Sequence, residues 1–358
     1  MVRRRSSRNK KRSGAASRVF LLFLVVLLAG AAAVAWFVFL PAGPQSETFV
    51  EIAPGSTTTQ IAAQLERAGI LRSRYGFDAV RLWKRGALKA GEYRFDHPAP
   101  VPEVYARIAR GDVYTLAVTI PEGATRFDIA TRVAQAGFLN ITKETFLAAT
   151  VSQTPLVADL DPQARSLEGY LFPDTYRFQR RVTPAQIIAA MVRRFRTVSS
   201  ETGLGDAVTN STRTVHDIVT LASLVERETA VNSERPLVAS VLLNRLAQKM
   251  PLMTDPAVIY GLEVENQYRG TIYRSDLADA KRDTPYNTYR HPGLPPGPIA
   301  NPGLPSLRAA LDPASTSYLY FVAAGADPQG KSRFATTLDE HNKNVASYRK
   351  AVKQAGGH

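Results

Sequence analysis

One carboxylate stands where a helix should be apolar. Val215, Ile218, Val219 and Ala222 repeat at helical spacing behind Thr214, and Asp217 is placed to complete a capping box with it. At about 100° per residue, Glu226 falls about 20° from Val215 and Val219, in the middle of that stripe. Glu228 points about 200° away and by the same geometry belongs in solvent. A carboxyl among apolar groups has its pKa raised, because leaving water penalises the anion. It then holds a proton near neutral pH and can donate it, which is the task of a general acid. The competing reading is a buried glutamate neutralised by an arginine such as Arg245, and the pattern leaves both open. Other polar groups gather on apolar segments nearby. Asn244 and Arg245 fall on the inner side of the next helix, below Val241. Asp255 opens a segment ending Val258-Ile259-Tyr260-Gly261 and is the nearest conspicuous second carboxylate. Seven of the 14 tyrosines lie in residues 260–320. Such rings suit stacking on sugars, and they suit an ordinary core equally well.

These residues sit on a chain that reads as α+β. A strand, Gly turn, Thr N-cap and amphipathic helix occur twice, 68 residues apart. The first copy runs Val50-Glu51-Ile52-Ala53-Pro54-Gly55-Ser56-Thr57, with Ile61-Ala62, Leu65 and Ala68-Gly69; the second runs Val118-Thr119-Ile120-Pro121-Glu122-Gly123-Ala124-Thr125, with Ile129-Ala130, Val133 and Ala136-Gly137. A second helix near 75–84 and a strand over 91–95 complete a βααβ order after the first copy. Helices are predicted at 184–198, 214–229 and 234–247, a buried strand at 318–323 and a polar helix at 339–354. Residues 284–305 hold seven Pro and three Gly and form an irregular loop. Gly325 to Ser332 matches G-x-x-x-x-G-K-S, but a phosphate loop needs a helix starting at Lys331. Arg333-Phe334-Ala335 reads as a strand instead, so a hairpin turn is the better assignment.

The net charge of +14 is mostly a tail. Residues 1–18 hold eight Lys/Arg and no acid, and without them 37 basic residues face 31 acidic ones. A nucleic-acid partner is therefore not expected, since its binder would carry the charge on the folded part. Val19 to Leu40 is an uncharged run of 22 residues, about 33 Å as a helix and enough to cross a bilayer. Trp36 and Phe37 near its end suit the membrane interface, and the preceding cations put residues 1–18 in the cytoplasm. The expected order is a tail (1–18), a transmembrane helix (19–40), a small subdomain (46–113) and a larger domain (114–354), with residues 43–47 as a polar linker. There are no cysteines, and the five histidines show no metal spacing, so no metal and no cofactor are expected.

The segments Ala222-Ser223-Leu224-Val225-Glu226-Arg227-Glu228-Thr229, Val241-Leu242-Leu243-Asn244-Arg245-Leu246 and Thr254-Asp255-Pro256-Ala257-Val258-Ile259-Tyr260-Gly261 resemble the endolytic murein transglycosylases (MltG, YceG-like). So do Thr284-Pro285-Tyr286-Asn287-Thr288-Tyr289, the Gly293–Gly303 stretch and Glu340-His341-Asn342, in the same order. The βααβ unit looks like a LysM module, which binds amino-sugar polymers. The resemblance implies a YceG-like domain whose general acid is matched to Glu226, with Asn244, Asp255, Tyr260, Tyr286 and Asn287 holding the glutamate or the sugar. It implies a membrane-anchored enzyme outside the cytoplasm that cleaves the MurNAc–GlcNAc bond of nascent glycan strands near the peptidoglycan synthases, leaving 1,6-anhydro ends. The alternatives are a non-catalytic wall-binding scaffold and a hydrolytic muramidase, which would need a second carboxylate. Met253 and Ser332 depart from the family pattern, which often has Gln and His there.

Overall fold

The computed structural model describes residues 13–205, 212–327 and 330–355, so most of the basic tail lies outside the described residues. In chain order the elements are α1 (Ser13–Phe39), β1 (Thr48–Ile52), α2 (Thr58–Arg67), α3 (Arg74–Lys84), β2 (Gly91–Phe95), α4 (Val101–Arg110), β3 (Leu116–Thr119), α5 (Arg126–Gln135), α6 (Lys143–Ser152), β4 (Thr175–Phe178) and α7 (Pro184–Glu201). Then follow α8 (Val215–Glu228), α9 (Arg235–Ala247), α10 (Asp255–Val264), α11 (Arg274–Ala278), α12 (Leu304–Leu311), β5 (Tyr320–Ala323), β6 (Ser332–Ala335) and α13 (Leu338–Ala355). The strands form three antiparallel pairs, β1–β2, β3–β4 and β5–β6, which makes the fold α+β. The chain divides into two units, Met1–Thr115 and Leu116–His358.

In the first unit, β1 pairs with β2 from Thr48↔Phe95 to Ile52↔Gly91. Helices α2 and α3 connect them, giving the βααβ order. Thr57 caps α2 in a reciprocal box with Gln60, satisfying amide donors that the helix itself cannot pair. Ile61, Leu65, Phe77 and Tyr105 bury their side chains against the strands, at roughly 1.5–3 kcal/mol for each aliphatic or Phe side chain. Helix α1 is long and apolar enough to cross a membrane over Ser17–Phe39. Its end is fixed to this body. Val38 is buried in the core, and Arg72 donates to the carbonyls of Trp36 (3.3 Å), Leu40 (3.2 Å) and Pro41 (2.9 Å). Ala42 then bridges to Ala99, so the linker expected at 43–47 follows a held segment.

The second unit begins with the repeat. Thr125 caps α5 in a box with Asp128, as Thr57 caps α2 68 residues earlier. Here β3 pairs with β4, from Leu116↔Phe178 to Thr119↔Thr175. Helices α8, α9 and α12 pack on one another, and the flank of α8 goes under at Ile218, Val219, Ala222 and Val225. Gly169, at φ +88°, holds the 167–172 turn against α8: a β-carbon there would stand 2.6 Å from Pro298 and 2.8 Å from Val219. Gly169→Ala should therefore cost about 2 kcal/mol or more, read as a fall in the urea midpoint of the full chain. Residues 284–303 carry no regular element until α12 opens. β6 starts at Ser332, where a phosphate loop would start a helix, and it pairs with β5 as a hairpin. The strand β5 is half-buried rather than buried.

Candidate functional site

The last turn of α8 carries two glutamates, and its two sides meet different surroundings. Glu226 faces protein. Its Oε2 lies 2.8 Å from Nη1 of Arg235, with both side chains 5 % exposed. The same oxygen accepts the Gly303 amide at 2.9 Å, at the N-terminus of α12. Arg235 is held in turn by Asn232 Oδ1 (3.0 Å) and Ser306 Oγ. Glu122, from the turn of the second repeat, completes the cluster. Burial pushes its carboxyl up, the Glu226 charge adds to this, and Arg235 pulls it back. Glu226, matched in the sequence to a general acid, thus takes the geometry of the competing reading, a buried glutamate beside an arginine. The wheel found a buried face, but what covers it is a guanidinium from the start of α9, not Arg245 and not open space.

Glu228 faces a cavity of about 370 Å³, within the range of about 300–1,000 Å³ usual for ligand sites. Arg245 of α9, Met253, Tyr320 and Phe321 of β5, and His341 of α13 line it with Glu228. Burial pushes the Glu228 carboxyl up to about 7; the Asp255 charge adds to the shift, and Arg245 and Arg227 oppose it. Solvent, where the wheel put this residue, is therefore replaced by a half-closed hollow. Arg245 fixes the floor. Its Nε donates to Leu319 O (2.7 Å) and its Nη1 to Leu252 O (2.8 Å), and its guanidinium stacks over Tyr320 at 5.2 Å. His341 also stacks on Tyr320, at 5.1 Å and 24°. Burial, and then Arg245, lower the His341 pKa below that of an ordinary imidazole.

The other expected site residues divide. Asp255 opens α10 beside Glu228, and its Oδ1 accepts the Tyr289 hydroxyl at 2.7 Å. Asn244 donates to Thr316 O and Tyr318 O, both at 2.9 Å, and so holds the approach to β5 that brings Tyr320 to the cavity. Tyr260, Tyr286 and Asn287 do not line it. Tyr260 is 3 % exposed and packs edge-on against Tyr286 at 5.0 Å. Asn287 is fully buried and accepts the Tyr289 amide at 3.1 Å, shaping its own turn.

Sequence reasoning missed Glu168, beneath the two tyrosines. Burial pushes its carboxyl up to about 7, against hydrogen bonds from the Arg126 amide and the Tyr260 side chain. Its Oε1 also accepts Asn301 Nδ2 at 2.7 Å, and Asn301 Oδ1 accepts the Leu171 amide at 2.9 Å. This network ties the start of α5 to the Pro-rich loop and opens onto no cavity that the Glu228 site uses. Among the described residues no three His, Asp or Glu side chains converge as a metal site.

The sequence matches the profile of the YceG-like family over residues 50–347. It is 34% identical to an endolytic murein transglycosylase of Bacillus subtilis over 324 residues, covering 86% of this chain and 87% of that one. An endolytic murein transglycosylase of Streptococcus pneumoniae is 30% identical over 339 residues, 86% of this chain and 60% of the longer streptococcal protein. A crystal structure of a yceG-like protein from Listeria monocytogenes superposes with a TM-score of 0.56 at 32% identity, over 84% of this chain and 99% of that one. The ordered motifs, the α+β fold and these likenesses along most of the chain agree: it belongs to the YceG-like family.

Proposed function

We propose that the chain is a membrane-anchored endolytic lytic transglycosylase of peptidoglycan, and that Glu228 rather than Glu226 is its acid and base. The observation that carries this reading is a carboxyl at the edge of a ligand-sized cavity with its pKa lifted to about 7. The neutral acid protonates the glycosidic oxygen between MurNAc and GlcNAc as the C1–O bond breaks. The resulting carboxylate then takes the proton of the MurNAc C6 hydroxyl, whose oxygen bonds to C1 and closes the 1,6-anhydro ring. A pKa near 7 suits a group that must give and then recover a proton. Arg245 steadies the anion between the two transfers, and Tyr320 offers an aromatic face to a sugar. The names of the relatives support murein as the substrate. The βααβ order of the first unit supports a LysM-like second contact with glycan, and the cations before α1 support a cytoplasmic N-terminus with both units outside. Cleavage there would end the growth of strands leaving the synthases.

Asp255 favours a second reading, a hydrolase using two carboxylates, because its charge acts on Glu228. The full chain in nanodiscs, given uncrosslinked glycan strands, separates the readings by mass spectrometry. Anhydro ends are expected; reducing MurNAc ends mean a hydrolase, and intact strands mean a wall-binding scaffold. The pH profile gives a further check. The carboxyl is raised, so its acid form dominates below about 7 and is lost as the pH rises through it. Turnover should fall about tenfold per unit well above that pH. Asp255→Asn removes a like charge and should move this limb to lower pH. A profile flat to pH 9 speaks against Glu228 as the acid.

A further inference from the structure

Helix α3 is apolar on two sides. One side, Gly76, Phe77 and Val80, is buried in the first unit's core. The other, Tyr75, Ala79, Leu82 and Trp83, follows the i, i+4, i+7, i+8 spacing of an amphipathic face and is exposed. Tyr75 is 68%, Leu82 77% and Trp83 71% exposed, the largest values for bulky apolar residues outside α1 among the described residues. Cations accompany the stripe. The Arg74 guanidinium lies over Tyr75 at 5.1 Å, Lys84 over Trp83 at 6.0 Å, and Arg85 follows in an exposed position. The helix's own acid, Asp78, lies beside Gly76 and Phe77 in the sequence and is half-buried.

The position of α3 relative to α1 selects what covers this face. A β-carbon on Gly76 would lie 3.4 Å from the carbonyl oxygen of Phe37 and 3.6 Å from Val38, so the first turn of α3 touches the end of the membrane-crossing helix. The residues just before α3 act there as well. Arg72 holds the last carbonyls of α1 and stacks on Trp36 at 5.4 Å. The interfacial layer of a bilayer is only about 5–8 Å deep on each side. Leu82 and Trp83 lie about 10 Å along α3 from that contact. A Trp–Tyr–Leu face rimmed by Arg and Lys is the composition of helices that lie in the interface.

We propose that the exposed face of α3 is a second membrane contact, seated in the headgroup layer of the same leaflet that α1 leaves. It rests on α1 crossing the bilayer, and it does not depend on the chemistry at Glu228. Tyr75 and Trp83 sit at the headgroup level, Leu82 reaches the acyl boundary, and Arg74, Lys84 and Arg85 meet lipid phosphates.

The chain has two tryptophans, Trp36 and Trp83, which gives each site its own reporter. The full chain carrying Trp36→Phe is reconstituted in phosphatidylcholine–phosphatidylglycerol vesicles, with and without bromine at carbons 6 and 7 of the acyl chains. Trp83 emission should be blue-shifted, lose most of its intensity in the brominated vesicles and resist iodide. Adding Leu82→Glu should restore iodide access. A chain carrying Trp83→Phe reports Trp36 alone; its quenching by brominated lipid shows that α1 is inserted. If Trp36 is quenched by the lipid while Trp83 is quenched by iodide and not by bromine, the inference fails and the anchor stands. If Trp83 resists both quenchers, a protein covers the face and the inference fails equally.

Discussion

If Glu228 is the acid, Glu228→Gln is expected to lower turnover by about 10²–10⁴-fold, the usual contribution of a positioned general acid. The amide keeps the shape of the carboxyl, but has no proton of useful acidity to give to the leaving oxygen. Folding should not suffer, because the anion is already disfavoured in that hollow and an amide carries no charge to desolvate. The expected pair of measurements is a single-turnover rate on defined glycan strands that collapses and a melting temperature that holds or rises. Glu226→Gln gives the contrast. It leaves an acceptor for the Gly303 amide and removes the charge that faces Arg235. Activity per folded molecule should stay within a few-fold, while stability falls. If Glu226→Gln abolishes turnover in well-folded protein and Glu228→Gln does not, the assignment of roles is reversed.

Arg235→Met is expected to destabilise the second unit by about 3–5 kcal/mol, because it leaves carboxylates buried without their cation. The charges of Glu226 and Glu122, which already act on each other, would then lack the cation that offsets them. Ser306 and Asn232 would lose a donor too. The double variant Arg235→Met, Glu226→Met removes both charges of the close pair and should recover part of the loss. Urea unfolding of the two singles and the double measures their coupling. Additive losses would show that the pair acts as two separate groups.

Much of the scaffold was legible in the sequence, and the reasons are local. The 22-residue apolar run, the paired Thr caps and the Gly-Lys-Ser hairpin each depend on neighbours within a few positions. The period of α8 was equally clear. What it could not tell is which side of the last turn met a cavity. A helical wheel gives an angle, and at this turn both sides are covered. One is covered by Arg235 and the start of α12, the other by a hollow roofed by β5 and α13, about a hundred residues further on. Glu168 and Glu122 were missed because they lie in turns, where no period marks a buried face. A faint signal exists for Glu122: at the repeat's offset it stands where the first copy has Pro54, just before the aligned glycines Gly55 and Gly123. Asp255 was read as the nearest second carboxylate to Glu226; its charge acts on Glu228 instead, and its Oδ1 accepts the Tyr289 hydroxyl, a contact between distant segments that only the fold supplies.

The clamp of Arg72 on the last carbonyls of α1, with Val38 sunk in the core and Ala42 bridged to Ala99, leaves no slack at the foot of the first unit. A flexible leash of ten residues would let its load wander about 16–19 Å. Here the helix rises as a mast, and the height of the first unit above the lipid becomes a property of folded structure rather than of chain statistics.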